Sequence, residues 1–136
     1  MGKQAYKLRH IALSVPDVAA AQKFFEEAFG MTFAGNAQNG VHMTDGTMNV
    51  ALLAKGGKVP DVEHPYYGVM HFGVWVDDLA QAEEQVKAAG ATHLQGRAPN
   101  TPNSYYEVKY RAPTGAIFDI TASGWKGAVK AVKPVE

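Results

Sequence analysis

The sequence predicts an α+β fold made of two tandem βαβββ modules. Two observations carry that prediction: a gapless internal repeat, and the same switch from strand to helix periodicity in each copy. Residues 10–28 (HIALSVPDVAAAQKFFEEA) align with residues 71–89 (HFGVWVDDLAQAEEQVKAA) at an offset of 61. The pairs His10/His71, Val15/Val76, Asp17/Asp78, Ala19/Ala80, Ala21/Ala82 and Ala28/Ala89 are identical. Alanine pairs arise easily in Ala-rich helices. A His and an Asp at the same distance from the same apolar stripe do not, and a repeat of this kind decides the fold before any single element does.

Each element follows from local chemistry. A strand over about 8–15 alternates its side chains between two faces. Asp17 stands where a helix N-cap belongs, because its carboxylate can accept from the free N–H groups of the first turn. Val18, Ala21, Phe25 and Ala28 then recur at helical spacing as one apolar stripe, and Gly30 is placed to end the helix. Three short strands, about 31–36, 40–44 and 47–54, complete module one. The second copy repeats the order: a strand over about 69–76, Asp78 as N-cap, and the stripe Leu79, Ala82, Val86 and Ala89. Gly90 follows, then strands over about 91–96, 104–111 and 116–122. Residues 55–67, with two Gly and two Pro, read as the linker. The expected division is module one at about 7–54, module two at about 68–124 and a C-terminal tail at 125–136, all within one domain spanning 1–136. The tail from Lys126 reads as surface or disordered. One module leaves its sheet half covered, so the two must associate.

Composition narrows the function. The chain has 136 residues, 46% apolar and 19% charged, enough to build a packed core. Thirteen basic residues balance thirteen acidic ones, which leaves no electrostatic footprint for nucleic acid or an anionic membrane. No cysteine is present, which excludes a disulfide scaffold, a zinc ribbon, an iron–sulfur site and a thiol nucleophile. No leader or apolar span is visible in the sequence. The expected setting is the cytoplasm.

Strand alternation then separates the two faces of the sheet. Ile11, Leu13 and Val15 are the residues a helix would cover, so His10 points the other way. In module two, Phe72, Val74 and Val76 lie under the helix, while His71, Gly73 and Trp75 face away. On the last strand Phe118 and Ile120 are core residues and Asp119 lies opposite, where a carboxylate is costly to bury without a partner. Pro113-Thr114-Gly115 fits a three-residue hairpin turn, which sets Lys109 against Asp119, Glu107 against Thr121 and Arg111 against Ile117. The polar set Glu107, Lys109, Arg111 and Asp119 therefore shares the side of His10 and His71. Read as the same turn, Thr44-Asp45-Gly46 places His42 opposite Met48 and Gly40 opposite Val50.

Four segments give the chain a resemblance to the vicinal oxygen chelate superfamily, which includes glyoxalases, bleomycin resistance proteins and extradiol dioxygenases. They are Arg-His-Ile-Ala-Leu-Ser-Val-Pro-Asp, Phe-Phe-Glu-Glu-Ala-Phe-Gly-Met, His-Phe-Gly-Val-Trp-Val-Asp-Asp and Ala-Pro-Thr-Gly-Ala-Ile-Phe-Asp-Ile, spread over roughly residues 7–124. The resemblance implies an open, mostly antiparallel, barrel-like sheet with the helices outside, around one divalent metal ion (Fe, Mn, Ni, Co or Zn). It implies His10, His71 and Asp119 as metal ligands, with Asp in place of the more usual Glu. The fourth family position, counted four residues after Gly46, falls on Val50, which cannot bind metal. Two histidines and one carboxylate leave room for a substrate that chelates through two oxygens.

The expected function is metal-dependent dioxygenase, lyase or isomerase chemistry on a small molecule, by a homodimer. The alternatives are a metal-free small-molecule binder of the bleomycin-resistance type and a purely structural dimerisation module. Glu107 is the candidate base, and Lys109, His42 and Trp75 are candidate substrate contacts. Each also has a plainer reading: an ion pair of Lys109 with Asp119, a surface His42, or aromatic core filling for Trp75 with Tyr66, Tyr67, Tyr105 and Tyr106. Residues 96–104 form a Pro/Asn-rich loop longer than its module-one counterpart and are a candidate lid.

Overall fold

The computed structural model describes residues 6–54, 67–96 and 107–132. All of the candidate lid but Gly96, most of the 55–67 linker, and Tyr66, Tyr105 and Tyr106 lie outside them. Ten elements follow in the expected order. Module one contains β1 (Lys7–Ser14), α1 (Val18–Phe29), β2 (Thr32–Ala37), β3 (Gly40–Thr44) and β4 (Asn49–Leu53). Module two contains β5 (Gly68–Trp75), α2 (Leu79–Ala88), β6 (Thr92–Gln95), β7 (Val108–Arg111) and β8 (Ile117–Thr121).

The eight strands form one open sheet in the order β2-β3-β4-β1-β5-β8-β7-β6, so each half mirrors the other and the first strands of the two modules meet at the centre. That central pair is antiparallel. β1 runs parallel to β4 and β5 parallel to β8, and the remaining pairs are antiparallel.

Both helices start on the expected caps. The Asp17 carboxylate accepts from Ala20 N and the Asp78 carboxylate from Gln81 N, each at 3.0 Å. Gly30 ends α1 with φ of 68° and donates its N–H back to Glu26 O, a left-handed turn that disfavours side chains. Each helix covers its own core. Under α1, Val41, Met43, Val50 and Leu52 pack with Ile11, Leu13 and Phe25. Under α2, Val74, Val108, Tyr110, Phe118 and Ile120 pack with Phe72 and Val86. Both cores lie on one face of the sheet, which leaves the other face for the polar residues.

Two expectations need correction. The β3–β4 hairpin is not the three-residue turn of module two. Thr44 pairs with Asn49, and the Asp45 carboxylate accepts from both Thr47 N and Met48 N, closing a four-residue loop. The register therefore moves: His42 lies opposite Ala51, not Met48, and Gly40 opposite Leu53, not Val50. The tail after Trp125 lies on the surface as expected, but it is tied down. Gly127 O accepts from Thr44 Oγ1 at 2.7 Å, Val129 N donates to Thr47 O, and Arg9 donates to Val129 O and Lys130 O. A segment that follows module two thus crosses onto module one.

Candidate metal centre

His10, His71 and Asp119 meet at the middle of the uncovered sheet face. β1 and β5 lie side by side, so their repeated histidines become neighbours, and β8 pairs with β5 so that Asp119 lies beside Gly73. His10 Nε2 lies 3.4 Å from His71 Nε2, His71 Nε2 lies 2.9 Å from Asp119 Oδ2, and His10 Nε2 lies 4.0 Å from the same oxygen. Asp119 and His10 are buried and His71 is partly so. Asp119 Oδ2 has no hydrogen bond of acceptable direction among the described residues. Its close neighbour is His71 Nε2, at 2.9 Å. A buried carboxylate oxygen left in this way needs a partner. Two ligands about 2.1 Å from one divalent ion stand roughly 3 to 3.4 Å apart, which is close to the spacing found. Two imidazoles and a carboxylate also suit a first-row divalent ion. The residues therefore fit a metal.

A second layer holds these groups. Lys109 Nζ donates to Asp119 Oδ1 at 2.6 Å, which leaves Oδ2 as the available oxygen. Burial works against the Asp119 charge, but His71 and Lys109 outweigh it and hold the carboxyl below its usual range. Behind His10, Asn49 Oδ1 lies 2.6 Å from Nδ1, while Asn49 Nδ2 reaches His42 Nδ1 at 2.9 Å and Lys126 O at 2.7 Å. Trp125 stacks on the His10 ring at 4.6 Å between centroids and donates its indole N–H to Glu107 at 2.6 Å. Burial pushes the His10 pKa down to about 4, against the Asn49 contact, and the neighbouring His71 adds to the fall. Burial pushes Glu107 up, helped by the Asp119 charge and opposed by Trp125 and Lys109. Burial and the Lys126 charge lower His42.

The family model of the glyoxalase/bleomycin resistance protein/dioxygenase superfamily matches residues 7–120. The chain belongs to that superfamily. A search of curated proteins finds no match. Among solved structures, the 2,3-dioxygenase LapB from Pseudomonas sp. KL28 is 16% identical with a TM-score of 0.65, over 93% of this chain and 43% of that one. The Mn(II)-bound glyoxalase from Novosphingobium aromaticivorans is 16% identical with a TM-score of 0.64, over 97% and 44%. A methylmalonyl-CoA epimerase from Streptomyces coelicolor is 13% identical with a TM-score of 0.67, over 87% and 98%. At these identities the likeness is one of fold. The chain spans less than half of the dioxygenase and of the glyoxalase, and nearly all of the epimerase.

In this member of the superfamily the shifted β3–β4 register relocates the fourth ligand position. Asp119 pairs with Gly73 just as Ala51 pairs with Ala12, the repeat equivalent of Gly73. Val50 instead points into the α1 core. The counterpart of Asp119 is thus Ala51, not Val50, and alanine has no ligand atom.

His10 and His71 open into a cleft of about 390 Å³, also lined by His42, Ala51, Glu107, Trp125 and the β2–β3 amides of Asn36, Gln38 and Asn39. Of the expected substrate contacts, His42 lines it, as does the candidate base Glu107. Lys109 is engaged with Asp119. Trp75 does not line the cleft: its indole donates to Ala122 O and its ring packs on Gly124. Asn49 and Trp125 are the site residues that sequence reasoning missed. The one available signal for Trp125 was a lone tryptophan soon after the last strand.

Proposed function

We propose that this chain is a metal-dependent enzyme that takes a small substrate through two adjacent oxygens and moves a proton at the carbon beside them, as a lyase or isomerase. His10, His71 and Asp119 hold the ion. When bound, it polarises the substrate oxygens and stabilises negative charge developing on them. The observation that carries the choice of reaction is Glu107: a half-buried carboxylate on the wall of the same cleft, held by the Trp125 N–H, with its pKa raised by desolvation. A carboxylate with a raised pKa is a better base and can return the proton it takes. Lys109 keeps Asp119 from turning both oxygens toward the ion, and the stacked Trp125 shields His10 from water.

The set of two histidines and one carboxylate, with alanine at the fourth position, favours a second reading, a ring-cleaving dioxygenase. Metal analysis of protein purified without chelator or affinity tag tests the shared premise. Zinc- or cobalt-loaded protein should exchange the α-proton of an α-hydroxy carbonyl compound with deuterium from solvent, and Glu107→Gln should lose that exchange. Oxygen uptake by the iron-loaded protein across a catechol panel, suppressed by Ala51→Glu, would establish the dioxygenase instead. Small-molecule binding by protein that takes up no metal would return the chain to the bleomycin-resistance type. A homodimer and a cytoplasmic setting complete the proposal. The exposed Phe24, Phe29 and Phe33 and the open sheet edges support the dimer.

A further inference from the structure

The hydrogen bonds around Asn49 form a chain whose direction can be read from one end. Lys126 O is a backbone carbonyl and can only accept. The Asn49 group 2.7 Å from it must therefore be the NH₂, which fixes the amide orientation. The same NH₂ faces His42 Nδ1 at 2.9 Å, so that nitrogen must accept. The Asn49 carbonyl faces His10 Nδ1 at 2.6 Å, so that nitrogen must donate. Asn49 is fully buried, so these bonds are shielded from solvent.

Two opposite imidazole states follow. His10 carries its proton on Nδ1 and presents a bare Nε2 toward His71 and Asp119. His42, neutral, carries its proton on Nε2. His42 lines the cleft, and its Nε2 has no partner among the described residues.

We propose that Asn49 sets both tautomers, and that it thereby makes His42 a fixed N–H donor on the cleft wall for an oxygen of the substrate. Asn49 is a positioning residue; His42 is the contact. The donor half rests on the metal-dependent reading above, and the tautomer half does not. The pairing makes chemical sense. One buried amide keeps a ligand nitrogen free of its proton while keeping a proton on the second imidazole that it touches. With alanine at position 51, the module-one wall offers substrate a hydrogen bond where a fourth ligand would otherwise stand. The burial and Lys126 charge that lower the His42 pKa keep it neutral, so that it recognises an oxygen by hydrogen bonding and not by charge.

Histidine side-chain nitrogen shifts and long-range couplings, recorded by NMR on metal-free protein at pH 7.5 (a condition of roughly one unit above the free imidazole pKa), test the first half. The expected result is Nδ1–H at His10 and Nε2–H at His42, with both returning to exchange-averaged values in Asn49→Ala. The same tautomer at both sites, or an unchanged pattern in Asn49→Ala, overturns it, and the wild-type spectrum decides even if that variant does not fold. Zinc-loaded protein titrated with acetohydroxamate, which chelates through two adjacent oxygens, tests the second half. The His42 Nε2–H signal should shift on binding. His42→Phe should weaken binding about tenfold, the scale of one lost hydrogen bond, with zinc content unchanged, and His42→Gln should restore part of it. Binding that leaves this signal unmoved, or His42→Phe binding as tightly as wild type, overturns the donor role. Absence of hydroxamate binding overturns it together with the metal reading, while the metal-free spectra still judge Asn49.

Discussion

Burial holds the His10 imidazole neutral down to a pKa of about 4, and in the unfolded chain it titrates near its ordinary 6.5. Between those values the unfolded chain takes up a proton that the folded one refuses, so stability is full above about 6.5 and falls as pH drops toward 4. The limit of that loss is on the order of 3 kcal/mol. His42 shifts in the same direction and adds to it. Asp119, whose pKa is lowered, adds a further loss below the ordinary carboxylate range, while Glu107, whose pKa is raised, acts against the trend. Metal-free protein should therefore melt at lower temperature at pH 5 than at pH 7, and a flat or rising melting temperature over that range would refute the account. At the same scale, His71→Ala should abolish stoichiometric metal binding, and full occupancy measured in that variant would remove His71 from the ligand set. The three clustered residues were legible in the sequence because alternation puts all three on the uncovered face and the repeat pairs the two histidines. Asn49 was not, because its direction depends on a hairpin loop one residue longer than its counterpart in module two.

The strand–helix starts of the two modules are the most legible elements, because cap, stripe and terminator agree in both copies. Asp17→Ala and Asp78→Ala should each cost about 1 kcal/mol in urea unfolding, the usual worth of such a cap; no change in midpoint would mean that water replaces the carboxylate at no loss. The β3–β4 hairpin was less legible, since Asp-Gly suits turns of several lengths and the Asp45 carboxylate selects the longer one by accepting two N–H groups. The packing of β5 against the tail gives a sharper prediction. A methyl group on Gly73 would lie 2.5 Å from the Trp125 ring and 2.9 Å from His10 Cβ. Gly73→Ala should displace the indole from His10 and from Glu107, seen as a red shift and altered quenching of tryptophan emission. An unchanged spectrum would show that the stack has room to spare.

Across the whole molecule, the sheet stays open and its outer strands β2 and β6 are edges. Phe24 and Phe29 on α1 and Phe33 on β2 are about half exposed, more apolar surface than a lone chain usually leaves in water. Sedimentation equilibrium at micromolar concentration should give twice the mass of one chain, and a monomer throughout would refute the proposed dimer. The two-module plan was legible because the first strand and helix of each module repeat at one offset. The path of the tail was not, because residues 123–132 have no periodicity and are held by single hydrogen bonds. That path has a kinetic meaning. Arg9 is bonded to Val129 and Lys130, and Asn49 to Lys126, so the ends of the described chain close a loop of almost its full length. Contacts this distant in sequence form late. Each module can gather its own helix and strands early, but Trp125 reaches His10 only after the halves have docked. In a refolding chain the tryptophan stack should therefore not form ahead of the circular dichroism signal, and a stack that forms first would refute this order.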